Sequence, residues 1–456
     1  MVTVDLVLEN AHIVFPAIGV RRGSIAVKDG KILAVLTDGE SLETRRTIDC
    51  TGKWVLPGAI DAHTHFGFGT DDDFRTETRG AAWGGTTTAL SFFRAKDLAA
   101  AFPDELARSS EASYIDYGYH FGITDHSHVD GIDRFVDEFG VSSFKLYLMY
   151  KGAAGAAQGF TEIDDGLLFH AMEKVASVPG ALLSVHCENT EVVPYLRQKV
   201  MAAGGEGLVA WDEQSPDYLE AENVHRVAYF SKVTDCPVNI VHLSSSEALA
   251  EARRHHGENH PNLHVETCPH YLSLTRDSEC AVLGKVGPPL RRSHDVDDLW
   301  EGIREGLIDT IGSDHVARKR STKETTIWDA SMGLPGTGLI LPILIHEGVH
   351  RRGIPIETIA AVTSSNVARQ YHIAGKGEIT PGFDADLVVI DPELERTIDA
   401  TELHSYADYS PYEGMTTRGW PVMTVLRGQV IVEDGELLGD AGQGRFLSRR
   451  PSTATT

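Results

Sequence analysis

Apolar residues along this chain fall into two textures. Over the first fifty or so residues, short apolar stretches alternate with polar positions and break at Gly, Asn or Asp, as in DLVLENAHIV, GSIAVKDGKILAVLTDG and TIDCTGKWVLPG. Alternation punctuated by turn residues predicts short strands. The same texture returns near the other end, in GEITPGFDADLVVIDPE and WPVMTVLRGQVIVEDGEL. Because chain ends often lie close together, these flanks predict one small β-sandwich built from both termini, residues 1–54 and 376–456. The final stretch, RFLSRRPSTATT, reads as a frayed tail.

Between the flanks, over residues 55–375, continuous apolar β-prone runs alternate with helical patterns, which predicts βα units around a parallel sheet. Eight such runs occur: VLPGAIDAH, TTTALSFF, YGYHFGI, SSFKLYLM, ALLSVHCE, VNIVHLS, LHVETCP and DTIGSD. Helices are expected between them, for example over 164–177 and over 245–256, the latter opening on a serine suited to capping. Eight strands with intervening helices predict an α/β fold, a (β/α)8 TIM barrel, whose active site lies where the strands end.

Composition supports this reading and narrows the partners. A chain of 456 residues accommodates a barrel of roughly 250 residues and a smaller domain. Hydrophobic residues make up 42% and charged residues 23%, which is ordinary globular usage. Lys plus Arg is 41 against 66 Asp plus Glu, a formal charge of −25 that repels nucleic acid and anionic membrane surfaces. No apolar run reaches the length of a membrane span, and MVTVDLVLENAHIV lacks the basic and apolar regions of a signal peptide. The expectation is a soluble cytoplasmic protein acting on a small molecule. Cys50, Cys187, Cys236, Cys268 and Cys280 are scattered, with no CxxC spacing, and are expected to be reduced structural thiols.

The chemistry gathers at the ends of the expected strands. His63 and His65 are two residues apart in GAIDAHTHFG, so on a strand both imidazoles face the same side. Lys145 lies in the fourth run, His186 in the fifth, His242 in the sixth and Asp314 at the end of the eighth. Each alone has an ordinary reading: a core histidine, a loop cap, a lysine snorkelling to solvent. Together they fall where a barrel collects catalytic groups. Lys145 is the oddest, because an ammonium inside SSFKLYLMY is costly to bury unless it is paired or chemically altered. Carbamylation by CO2 would convert it to an anion able to bridge two cations.

With these blocks the chain resembles the cyclic amidohydrolases, the family of dihydropyrimidinases and hydantoinases with allantoinase and dihydroorotase as cousins. The resemblance rests on GAIDAHTHF, DDFRTETRGAAWGGTT, SSFKLYLMYKG, SVHCEN, VHLSS, ETCPHYL, GPPLR, IGSDH, GxPG at 333–336, PGFDADLVVIDP and YSPYEGM, and so runs nearly the length of the chain. It implies that His63, His65 and Asp314 hold one divalent ion and His186 and His242 a second. Lys145, as N6-carboxylysine, and a hydroxide bridge the two. Zn²⁺ suits imidazole and carboxylate ligands, with Mn²⁺ as the alternative. The resemblance further implies Asp314 as the proton shuttle and Tyr150 as the donor to the tetrahedral oxyanion; without it, Tyr150 reads as an aromatic packed at a strand end. It also implies a homo-oligomer, tetramer or dimer.

Substrate contacts in the family run through main-chain groups near GPPLR and near an asparagine before GxPG. This chain departs at both places: Gly287 stands where serine is usual, and Met332 where the asparagine falls. FGFGTDDDF after His65 and the Gly/Ala-rich KGAAGAAQGF after Tyr150 are loops of the kind that set specificity. Phe66, Phe68 and Phe160 either line a substituent pocket or anchor these loops. Dihydroorotase is disfavoured, since its arginine soon after HxH is replaced by Gly67 and its neighbours. The reading is therefore a metal-dependent hydrolase opening a hydantoin or dihydropyrimidine. Allantoinase or an imidase is the alternative within the class, and a non-catalytic scaffold resembling the collapsin response mediator proteins the alternative outside it. Retention of all six ligand positions separates the enzyme from the scaffold.

Overall fold

A computed structural model describes residues 3–37, 40, 42–67, 70, 72–156, 159–257 and 260–450. All eight apolar runs form strands of one parallel sheet, paired in chain order. They are Ala59–Thr64, Thr86–Phe93, Asp116–Ile123, Ser143–Tyr147, Leu182–His186, Val238–Ile240, Leu263–Thr267 and Thr310–Ile311. Six of these eight, all but the second and seventh, are buried at every position, as expected when helices cover the outside and side chains fill the inside. The expected helices appear as Asp165–Ala176 and Ser246–Gly257. Asp164 caps the former by accepting from Leu167 N at 2.8 Å, and Ser245 Oγ accepts from Ala248 N at 3.3 Å at the start of the latter.

The sheet closes on itself just beyond the short eighth strand. His65 N donates to His315 O at 2.9 Å and His315 N to His63 O at 3.3 Å. Asp61 ties the same seam from below, accepting from Ser313 N at 3.0 Å, Ser313 Oγ at 2.6 Å and Thr337 Oγ1 at 2.7 Å. Gly312 is obligatory here, because a Cβ at that position would lie 2.5 Å from His63 Cβ. The first and last strands can approach only across a residue with no side chain.

The two β-rich flanks form one nine-stranded sheet. Its N-terminal half comprises Val4–Phe15, Gly19–Lys28, Lys31–Leu36, Thr44–Asp49 and Trp54–Pro57, and its C-terminal half Leu387–Thr397, Thr416–Leu426, Gln429–Glu433 and Glu436–Leu437. The halves join where Trp54–Pro57 pairs antiparallel with Leu387–Thr397. Their apolar faces enclose a core of their own, including Leu8, Ile25, Val55, Leu387 and Val425, distinct from that of the barrel.

Part of the tail departs from expectation. Residues 445–450 are not frayed but clamp the barrel floor: Tyr117 N donates to Arg445 O at 2.9 Å and Leu447 N to Tyr117 O at 2.7 Å. Arg449, 2% exposed, donates to Ser143 Oγ at 2.8 Å and to the Tyr119 carbonyl. Ser143 in turn contacts His120 Nδ1 at 2.6 Å, and His120 Nε2 reaches Ala62 O at 2.9 Å, so the arm is wired to the strand that carries His63. A charged residue near a chain end gives no sign in sequence of such an internal partner. Residues 451–456 lie outside the described residues. Arg449→Ala, which strands these buried acceptors, is expected to cost about 2 kcal/mol, read as a lower urea midpoint; an unchanged midpoint would show the arm to be dispensable.

Candidate active site

At the C-terminal mouth of the barrel, the first strand turns His63 and His65 to one side, and the turn after the eighth strand sets Asp314 between them. Asp314 Oδ1 lies 3.2 Å from Nε2 of each. One donor atom from each of the three residues lies within 4.8 Å of the others, a spacing suited to a shared cation. Behind them, Glu266 Oε1 sits 2.5 Å from His63 Nδ1, both side chains fully buried. That contact fixes the tautomer and leaves Nε2 to face the mouth.

His186 ends the fifth strand and His242 follows the sixth; their rings meet edge to face with centroids 4.4 Å apart, and His242 lies 5.3 Å from His63. Glu188 Oε2, 3.0 Å from His186 Nε2, is held through its other oxygen by Ser215 Oγ at 2.5 Å. His186 is thereby left Nδ1 for a ligand bond. His242 Nδ1 is buried without a hydrogen-bond partner among the described residues, a costly state that suits a group completed by an ion. His242 and Asp314 also adopt positive φ, 43° and 50°, conformations that cost about 1 kcal/mol or more and concentrate at functional sites.

Lys145 is 1% exposed, its ammonium 4.8 Å from the centroid of Phe92, the ring that also packs on His63 at 4.7 Å. Burial lowers its amine to about 8, against the opposing pull of Asp314 and Glu266. Burial likewise lowers His65 to about 4, and His186 and His242 below the usual imidazole range, so these rings are held neutral as metal ligands must be. His63 is the exception: burial disfavours its charge, but Glu266 and Asp314 together raise it. Burial opposes ionisation of Asp314, yet His63 and His65 outweigh it and hold the carboxyl well below the ordinary range.

The six residues expected at strand ends therefore converge on one mouth. Glu266 and Glu188 went unnoticed in sequence, although a glutamate inside LHVETCP is as anomalous as a lysine inside SSFKLYLMY. His315 turns away from the mouth to Glu77, 2.9 Å from Nε2, and accepts from Gly336 N at 3.0 Å, anchoring the GxPG loop. His255, on the helix Ser246–Gly257, is buried with its ring 5.2 Å from that of His225. Asp73 is 1% exposed and accepts from Gly67 N at 3.1 Å and Thr70 N at 2.9 Å, holding the loop after His65. Asp71 lies outside the described residues.

Gly287 and Met332 turn out to be neighbours. A Cβ at Gly287 would lie 3.3 Å from Met332 Sδ and 3.9 Å from Glu188 Oε2, so the thioether closes over the space that a larger residue at 287 would fill. Tyr150 ends a short turn, Leu148–Tyr150, directly after the fourth strand, its ring 5.2 Å from Phe160. Phe66 packs on Phe74 at 5.2 Å while also bordering, with Phe160, a cavity of about 1030 Å³, so it both anchors a loop and lines a pocket. Phe68 lies outside the described residues.

Known proteins share this architecture. Residues 54–431 match the Amidohydrolase family. Over 98% of its length the chain is 34% identical to a D-hydantoinase of Ralstonia pickettii, covering 99% of that protein. It is 31% identical to an L-hydantoinase of Paenarthrobacter aurescens, over 98% of each chain. The solved structure of an L-hydantoinase (dihydropyrimidinase) from Arthrobacter aurescens superposes with a TM-score of 0.90 and 30% identity, over 97% of this chain and 99% of that one.

Two outcomes follow from the geometry. Glu266→Gln, which removes the charge orienting His63, is expected to weaken metal binding about 10- to 100-fold in chelator competition while the fold persists; unaltered affinity would contradict its role. Metal-free protein is expected to lose stability as pH falls from 6.5 towards about 4, because the unfolded chain binds protons there that buried His65 refuses. A thermal midpoint flat across that window would contradict the neutral-imidazole assignment.

Proposed function

From the premise that the chain belongs to the amidohydrolase family, we propose that it opens the ring of a hydantoin or dihydropyrimidine at a binuclear metal centre. It is an enzyme, a metal-dependent cyclic amidohydrolase. The observation that carries the choice of site is the meeting of His63, His65 and Asp314 donor atoms within 4.8 Å, with the His186–His242 pair beside them. Similarity of comparable strength to a D- and an L-hydantoinase selects neither hand of a substituted ring.

In this proposal His63, His65 and Asp314 hold one divalent ion, His186 and His242 the other, and Lys145 bridges them as the N6-carboxy form. An amine at about 8 retains a neutral fraction near physiological pH, the form that attacks CO2. All-nitrogen and carboxylate donors favour Zn²⁺, with Mn²⁺ as the alternative. Bound there, the two ions supply a water acidified towards neutral pH and a Lewis acid for the ring carbonyl. Asp314, buried and ionised, takes the proton of the attacking water and returns it to the leaving ring nitrogen. Tyr150 donates its hydroxyl to the oxyanion. Backbone groups at Gly287 and Met332, two loops in contact at the rim, hold the ring's polar edge.

The proposal extends to a cytoplasmic homo-oligomer, tetramer or dimer. Exposed Tyr218, Tyr229 and Val233 on the helix Asp217–Thr234, with Tyr195 and Met201 on Val193–Ala202, support a surface made for a second copy. Light scattering giving only the 49.7 kDa monomer would overturn that part.

A hydrolysis panel of hydantoin, 5-substituted hydantoins of both hands, dihydrouracil, allantoin, dihydroorotate and succinimide, with Zn²⁺ or Mn²⁺ added, tests the function. Ring opening of hydantoin or dihydrouracil is expected; opening of allantoin or succinimide alone would replace the substrate class. Lys145→Ala is expected to lose metal and activity together, with partial rescue by a short-chain carboxylate, whereas full activity would refute the bridge. Tyr150→Phe should lower kcat about 100-fold with metal content intact; an unaltered kcat would remove its role.

A further inference from the structure

The cavity of about 1030 Å³ beside the mouth is far larger than a five- or six-membered ring requires, and its wall contains an arginine that the reaction does not use. Arg94 follows the second barrel strand, Thr86–Phe93. Its guanidinium carbon lies 5.1 Å from the ring centroid of Tyr147, 5.7 Å from Tyr150 and 5.8 Å from Phe160. Aromatic faces at these distances stabilise a cation without neutralising it. The neighbouring strand makes room for the side chain: a Cβ at Gly122 would lie 2.6 Å from Arg94 Cγ and 3.3 Å from Tyr147 Cε2. Glycine at 122 and arginine at 94 are thus a matched pair, and the guanidinium is seated.

Two further observations aim this cation. The Tyr150 ring that walls one side of the guanidinium belongs to the residue assigned to the oxyanion. Phe92 stands between the cavity and the metal-ligand cluster: it lines the former, and its ring is 4.7 Å from that of His63 and 5.1 Å from that of His65. Among the described residues, Glu105, Asp125 and Glu162 border the cavity, and each is engaged locally. Glu105 accepts from Tyr119 Oη at 3.1 Å and pairs with Arg108. Asp125 accepts from His128 N at 3.0 Å, capping a short helix, and Glu162 accepts from His126 N at 3.1 Å. The exposed Lys96 adds a second positive charge at the rim.

We infer that Arg94 reads the exocyclic substituent of the ring, and that the preferred substrates are hydantoins or dihydropyrimidines carrying a carboxylate on a short alkyl arm. This rests on the proposed function, and names its substrate class more narrowly. A planar guanidinium held in an aromatic cage presents a rigid fork that a carboxylate matches with two parallel hydrogen bonds. The ring's reacting carbonyl beside Tyr150 leaves a short arm to span to Arg94. The apolar walls contributed by Phe66 and Phe160 accept the methylenes.

The experiment compares kcat/KM for 5-(2-carboxyethyl)hydantoin with that for its neutral carboxamide, in the metal-loaded enzyme and in Arg94→Met and Arg94→Lys, with unsubstituted hydantoin as the reference for each protein. The wild type is expected to favour the carboxylate by about 10- to 100-fold, the worth of hydrogen bonds to a charged group, chiefly through KM. Arg94→Met should bring the ratio near one, and Arg94→Lys should keep part of it. Metal content and circular dichroism establish that each variant is folded, and the lysine variant preserves the test if methionine does not fold. A wild-type ratio at or below one, or a ratio that Arg94→Met leaves intact, overturns the inference while hydantoin hydrolysis still upholds the function. Failure of the wild type to open any ring overturns both.

Discussion

A ring of parallel strands closes only if its first and last members pair, and here that pairing is drawn through the carboxylate of Asp61. Fully buried, it accepts hydrogen bonds from Ser313, Thr337 and the His63 backbone, joining the first strand to the segment that ends the eighth. Burial raises its pKa, and those donors offset the penalty. The residues on either side of this seam are His63, His65 and Asp314. Closure of the fold and assembly of the first ligand cluster are therefore one event, and Gly312 is the position that lets the strands come close enough for it.

The site so assembled is electrostatically unfinished by itself. Imidazoles held neutral by burial, a lysine lowered to about 8 and a strongly acidic aspartate occupy one water-poor mouth. Glu266 and Glu188 orient two of the histidines from behind, and positive φ at His242 and Asp314 adds backbone strain. Each feature alone lowers stability. Cations bound there would offset the charge and desolvation costs together, which explains why a chain would retain so many expensive groups in one place. The C-terminal arm contributes from the opposite end, since Arg449, Ser143 and His120 brace the strands that carry Lys145 and His63.

Much of this was legible in the sequence because barrel strands are buried on both faces. Eight continuous apolar runs then stand out, and a histidine, lysine or aspartate at the end of a run has no bland explanation once several coincide. Lys145 announced itself by its cost. What stayed hidden depends on distances between residues far apart in the chain. Glu266 lies 203 residues from His63, and its partner could not be named from a strand pattern. Gly287 and Met332 read as two separate departures, although they are one contact. Arg94 carries no signal in sequence, because the cage around it comes from Tyr147, Tyr150 and Phe160 on another strand and its loop. Residues 445–450 looked frayed because arginine-rich ends usually are, and only the barrel floor supplies the acceptors that hold them.

The account stands on two cations sharing the mouth through a carboxylated lysine. Crystals grown with Zn²⁺ and bicarbonate and measured at the zinc absorption edge test it directly. Two anomalous peaks about 3.5–4 Å apart, with extra planar density continuous with Lys145 Nζ between them, are the result predicted. A single peak, or none, beside an unmodified amine would contradict it.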